Sequence, residues 1–152
     1  MSDSSPEENL YRQFLTIFVL LDDGDRRTFK QIDLTTSQYN FLRTLDSAAT
    51  DSLTVSEVAD KLLCTRGNVT RLVQRLGKSG LVRTGSDARD QRLVRISLTP
   101  EGETKLAQAR QLHEASLQRR LAELTPAERQ QLLDLTATAV QILETDLAAQ
   151  TS

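Results

Sequence analysis

The chain has 152 residues and a net charge of −2, with one cysteine, one histidine and few aromatics. That length suits one compact domain or two small lobes, and a core built mostly of leucine and alanine favours helices. A lone cysteine excludes an internal disulfide, no apolar run approaches the ~20 residues of a membrane span, and the first eight residues lack the basic region and apolar core of a signal peptide. The expected location is cytoplasmic, away from membranes.

In chain order, residues 1–6 read as a disordered tail. From 7 to 29, Leu10, Phe14, Ile17, Phe18 and Leu21 fall at helical spacing. Asp22-Asp23-Gly24-Asp25 interrupts the stripe, and the local chemistry there favours a break. The three aspartates lack the glutamate that would close a calcium loop, so they read as a solvated kink rather than a metal site. Thr35-Thr36-Ser37-Gln38 is a capping box that starts a helix with Tyr39, Leu42 and Leu45 inward. Residues 47–52 form a polar loop.

Thr54-Val55-Ser56-Glu57 is another capping box, opening a short helix with Val55, Val58, Ala59 and Leu62 on one side. Leu63-Cys64 forms an apolar turn, and Thr65 caps a second helix whose dry side carries Val69, Leu72, Val73 and Leu76. Helix, brief turn and helix make a helix-turn-helix. Gly80 reads as the residue that ends the second helix in the left-handed conformation. Residues 81–84 read as a strand, 85–91 as a polar loop, and 94–98, alternating strictly, as a half-buried strand. Two strands around a basic loop make a hairpin wing.

Thr99-Pro100 caps a long helix with Leu106, Ala109, His113, Leu117 and Leu121 on one stripe. Thr125-Pro126-Ala127-Glu128 opens the last helix, whose inner side carries Leu132, Leu135, Val140, Leu143 and Leu147. A chain of this length offers these helices little internal surface. A second copy, with the first helix joining in, is the expected cover.

The wet face of the second helix of the pair carries Arg66, Asn68, Thr70, Arg71, Gln74 and Arg75, with no acid anywhere in residues 66–78. Arginine pairs with guanine, asparagine or glutamine with adenine, and threonine with phosphate or a thymine methyl. Residues 61–95 carry nine Lys and Arg against two Asp, whereas the segments on either side are net acidic. Such clustering matters more than overall charge for a phosphate footprint.

The ordered set Thr65-Arg66-Gly67-Asn68-Val69-Thr70-Arg71-Leu72-Val73, Gly80-Leu81-Val82, Asp90-Gln91-Arg92 and Leu98-Thr99-Pro100-Glu101-Gly102 resembles the MarR family of winged helix-turn-helix transcription regulators. Leu34-Thr35-Thr36-Ser37-Gln38 is similar to that family's Leu-Thr-x-x-Gln sequence ahead of its second helix. Gly77 stands where a longer helix former is usual, and Ala88 where a proline is common. The resemblance implies a mainly α fold with a small β-hairpin wing (α+β): a DNA-binding lobe over 34–99 and a helical dimerisation region over 7–31 and 100–148. It also implies a continuous first helix, against the break that the local chemistry favours.

What the resemblance implies for function is a sequence-specific regulator, most often a repressor, binding a pseudo-palindrome on double-stranded DNA as a homodimer. The candidate DNA-contacting residues are Thr65, Arg66, Gly67, Asn68, Thr70, Arg71, Gln74 and Arg75, with Arg89, Asp90 and Arg92 in the wing. Asp90 stands where a charge-assisted bond would orient Arg92. Family members often bind small aromatic acids or phenols, so an effector of that kind is a candidate partner. The alternative is a winged-helix module docking on an acidic protein, but charge docking does not need the short polar Asn68, Thr70 and Gln74. An enzyme is not expected. No phosphate-cradling glycine loop, metal-ligand cluster, cofactor motif or catalytic pair is present, and Cys64 and His113 are isolated. Cys64 reads as a small buried apolar residue rather than a redox sensor, and His113 as a residue of plain packing or surface exposure rather than of an effector pocket or the dimer seam.

Overall fold

A computed structural model describes residues 5–87, 90 and 92–150. Nine elements follow one another: α1 Pro6–Lys30, α2 Thr36–Asp46, β1 Leu53–Thr54, α3 Val55–Leu62, α4 Arg66–Lys78, β2 Val82–Ser86, β3 Val94–Leu98, α5 Pro100–Arg120 and α6 Pro126–Gln150. The helix starts lie where the caps predict them. Thr35 with Gln38, and Thr54 with Glu57, close reciprocal capping boxes, while Thr65 and Thr125 accept the N–H groups of Asn68 and Glu128.

Helix α1 departs from the local reading at its start and again in its second half. Ser5 and Pro6, placed in the tail by sequence, are its N-cap and first residue, and the Ser5 hydroxyl accepts the Glu8 N–H at 3.2 Å. The helix also runs without a break through 22–25. Arg26 pairs with Asp22 at 3.1 Å and Arg27 with Asp23 at 2.8 Å, both one helical turn apart. Such pairs stabilise a helix by roughly 0.2–0.5 kcal/mol each, enough to offset much of the ~1 kcal/mol cost of Gly24.

The described residues up to Ser116 form one compact unit and those from Leu117 onward a second. In the first unit the core gathers Phe29, Tyr39, Phe41, Leu42, Leu45, Val58, Val69, Leu76, Ile96, Leu106 and Ala109. It thus draws on α1 and α5 as well as on the 34–99 span. Arg110 on α5 reaches Asp46 of α2 at 2.7 Å, and the buried Thr28 and Ser116 hydroxyls bond at 3.0 Å. In the second unit no residue of α6 is buried.

The wing has a third strand that the sequence reading missed. Strand β1 pairs antiparallel with β3, Leu53 opposite Ile96 and Thr54 opposite Arg95, giving the order β1-β3-β2. Two residues show no alternation, so only the pairing partner defines them. Strand β2 begins at Val82 because Leu81 closes a junction instead. The Leu81 N–H donates to Leu76 O at 2.9 Å, and its carbonyl accepts the Thr99 N–H at 3.1 Å. Gly80 supplies the expected positive φ of 70°. The Thr99 hydroxyl donates to Gly80 O at 2.6 Å and accepts the Gly102 N–H at 3.0 Å, so one side chain ends α4 and caps α5. Gly102 lies hard against this junction: a β-carbon there would fall 2.0 Å from Leu81 O.

Candidate nucleic-acid interface

Helix α4 is fixed from below and free above. Val69 and Leu76 are fully buried, and Leu72 and Val73 pack against the same core. The opposite side exposes Arg66, Asn68, Thr70, Arg71, Gln74 and Arg75 together. Among the described residues none of its three arginines forms an ion pair, so each guanidinium keeps its donors for a ligand. Thr70 donates its hydroxyl to Arg66 O at 2.9 Å, which leaves it acceptor lone pairs rather than a free donor. Thr65 is occupied as the N-cap, and Gly67 lies exposed in the first turn, where a β-carbon would meet only Thr65 Oγ1, at 3.9 Å.

Preceding α4, Leu63 adopts φ 50° and exposes its side chain, while Cys64 is half-buried against the core and bonds Ala59 O through its N–H. Cys64 shares with Asn68, Arg71, Arg75, Leu62 and Leu72 a cleft of about 470 Å³. His113 lies elsewhere. It is half-buried on α5, tilted against Phe29 and Tyr39, with Nε2 3.4 Å from Asp25 and Nδ1 3.4 Å from the Tyr39 hydroxyl. Among the described residues no group of three His, Cys, Asp or Glu is placed to hold a metal ion, and no helix is long and apolar enough to cross a membrane.

In the wing, Arg89 lies outside the described residues; Asp90 and Arg92 are described and exposed. The link between them runs through the backbone: the Arg92 N–H, not its guanidinium, donates to Asp90 Oδ1 at 2.9 Å. The Asp90 N–H in turn donates to Asp87 Oδ1 at 3.1 Å. Sequence reasoning missed Asp87 and its partner Arg95. Arg95 Nε donates to Asp87 Oδ2 at 2.5 Å, and its Nη1 reaches Ser52 O at 3.2 Å and Glu57 at 3.8 Å. The Asp87 carboxylate holds the Arg95 guanidinium above its already high ordinary pKa. Glu57 lies below the usual carboxylate range, chiefly through the Thr54 N–H and hydroxyl. Its depressed pKa stabilises the fold above the ordinary glutamate range, a contribution lost as pH falls through the folded value. The signal for Arg95 was a charge in the middle of a strictly alternating strand, but its partners are 8, 38 and 43 residues away.

Comparison with known proteins converges on this geometry. A model of the MarR family matches residues 32–93, from the end of α1 into the wing. The chain is 28% identical over 127 residues to YkoM, an HTH-type transcriptional regulator of Bacillus subtilis, covering 84% of this chain and 81% of that one. It is 34% identical over 95 residues to the transcriptional repressor MdtR of the same bacterium, 62% of this chain and 61% of the other. A mutant MarR from E. coli, crystallised with operator DNA, matches with a TM-score of 0.78 at 25% identity, over 86% of this chain and 93% of that one. Its helix-turn-helix and three-stranded wing, with the family model matched over residues 32–93, make the chain similar to the MarR family of winged-helix, DNA-binding transcription regulators.

Proposed function

We propose that this regulator is a repressor that binds a pseudo-palindromic operator as a homodimer, one α4 in the major groove of each half-site and one wing beside it. The observation that carries this reading is the exposed, acid-free face of α4, which mixes arginines with the short amides and hydroxyls that base reading needs. The repressor MdtR and the operator complex of E. coli MarR are consistent with it. Arg71→Ala or Asn68→Ala is expected to cost on the order of 1–3 kcal/mol on the operator and to relax specificity at the base it faces. Gel shifts with the selected site and with random duplex measure this. An equal loss on both would mean that these residues touch only phosphate.

The dimer rests on apolar surface that each unit leaves bare in a single chain. On α1, Phe18 and Leu20 are each 66% exposed; on α6, Leu133, Ile142 and Leu143 are more than 60% exposed. Runs of this kind are uncommon on monomers and mark interfaces. Sedimentation at micromolar concentration is expected to give a dimer through 7–30 and 100–148, and a monomer there would sink the assignment. A small aromatic or phenolic acid is the proposed effector. The cleft beside α4 has the size for one such molecule, with Arg71 and Arg75 for a carboxylate and Leu62 and Leu72 for a ring. Loss of the gel shift on adding such an acid is the expected readout.

A further inference from the structure

We infer that Arg95 is a positioning residue that fixes the DNA-facing wing loop to the helix-turn-helix and thereby presets Arg92. The inference rests on the reading that Arg92 touches DNA.

The geometry forms a chain of bonds. At one end, the Arg95 guanidinium spans the Ser52 carbonyl ahead of β1 and the Glu57 carboxylate in the first turn of α3. Glu57 is itself fixed, accepting the Thr54 N–H at 2.7 Å. At the other end Arg95 holds one oxygen of Asp87, whose second oxygen holds the Asp90 N–H, and Asp90 then holds the Arg92 N–H. The loop closes on itself as well: Asp87 N–H donates to Leu93 O, and Leu93 N–H to Asp90 O, both at 3.0 Å.

Exposure separates this link from an ordinary surface ion pair. The Asp87 side chain is 10% exposed and that of Arg95 33%, so solvent screens the bond less than it screens the exposed pairs of α1. A hairpin loop joined only at its strand ends would have to give up conformational freedom on binding. Tied through Arg95, the loop has Asp87, Asp90 and Arg92 held in advance, which lowers the cost of association. Arginine suits the task because its planar fork serves separate partners at once, whereas lysine offers a single compact charge.

The test uses the full-length protein and a duplex that it selects from a random pool. Arg92→Ala is the control for the underlying reading. It is expected to weaken binding about tenfold and to lower the salt slope by roughly one per half-site. If it changes neither, the wing contact is wrong and the relay has no end point. Arg95→Lys keeps the charge and is expected to weaken binding about tenfold, with the same fall in slope. Asp87→Asn removes a negative charge close to DNA, so charge counting predicts tighter binding; the relay predicts weaker. In the Arg92→Ala background both changes are expected to lose most of their effect, since they act through Arg92. Tighter binding by Asp87→Asn overturns the proposal. So does a full, additive loss from Arg95→Lys on top of Arg92→Ala. Circular dichroism of each variant separates these outcomes from misfolding.

Discussion

Gly102→Ala is expected to lower the melting temperature by roughly 10 °C, while Gly77→Ala raises it by a few degrees. Both glycines are in helices, and helix propensity alone gives both changes the same favourable sign, on the order of 0.5–1 kcal/mol. What separates them is space. A β-carbon at Gly77 meets nothing within 4 Å, whereas at Gly102 it would fall 2.0 Å from a backbone carbonyl. That carbonyl, Leu81 O, already accepts the Thr99 N–H. Relieving the clash therefore means pulling α5 away from the end of α4 and loosening the Thr99 bonds with it. Overpacking against flexible side chains typically costs about 1–3 kcal/mol, and a rigid backbone puts this case at the upper end. Thermal unfolding at fixed protein concentration checks both variants. Similar melting temperatures for Gly102→Ala and the wild type would mean that the two helices part more easily than the bonds between them suggest.

Phe29→Ala is expected to remove about 3–5 kcal/mol, a large fraction of the 5–15 kcal/mol typical of a domain. The ring is fully buried at the end of α1, stacked on Tyr39 of α2 at 4.3 Å between centroids and 5.5 Å from the His113 ring of α5. Its removal leaves a cavity where three helices meet, and the bonded hydroxyls of Thr28 and Ser116 nearby limit collapse. Phe29→Leu should cost markedly less, because it keeps most of the volume. Urea unfolding followed by circular dichroism gives the difference. A loss under about 1 kcal/mol for the alanine variant would mean that α1 is held to the lobe by other contacts.

The contrast between legible and illegible features follows sequence distance. The capping boxes at Thr35 and Thr54 and the cap at Thr65 were readable because donor and acceptor lie three residues apart. The dry and wet faces of α4 were readable because a helix repeats every 3.6 residues. Asp22-Asp23-Gly24-Asp25 was misjudged locally, since its composition suggests a break, yet Arg26 and Arg27 one turn later satisfy two of the acids. Strand β1 and the Arg95 bonds to Ser52 and Glu57 were not readable: each needs a partner dozens of residues away, placed by the fold. Asp90 shows the intermediate case. Its pairing with Arg92 was anticipated, but the acceptor binds backbone rather than guanidinium, a choice that spacing alone does not decide.

The junction at Gly80, Leu81, Thr99 and Gly102 turns α4 into a lever with its fulcrum at the C-terminal end. Thirteen residues at ~1.5 Å each make an arm of about 20 Å, ending at Arg66. A tilt of about 10° at the fulcrum sweeps the far end through roughly 3.5 Å, close to the ~3.4 Å rise of one base pair. Because α5 starts on the same four residues, its angle and that of α4 are set together. With Val69 and Leu76 both buried on the core, such a tilt would have to carry the whole dry face of α4, so the proposed reading of DNA in register rests on this corner staying stiff.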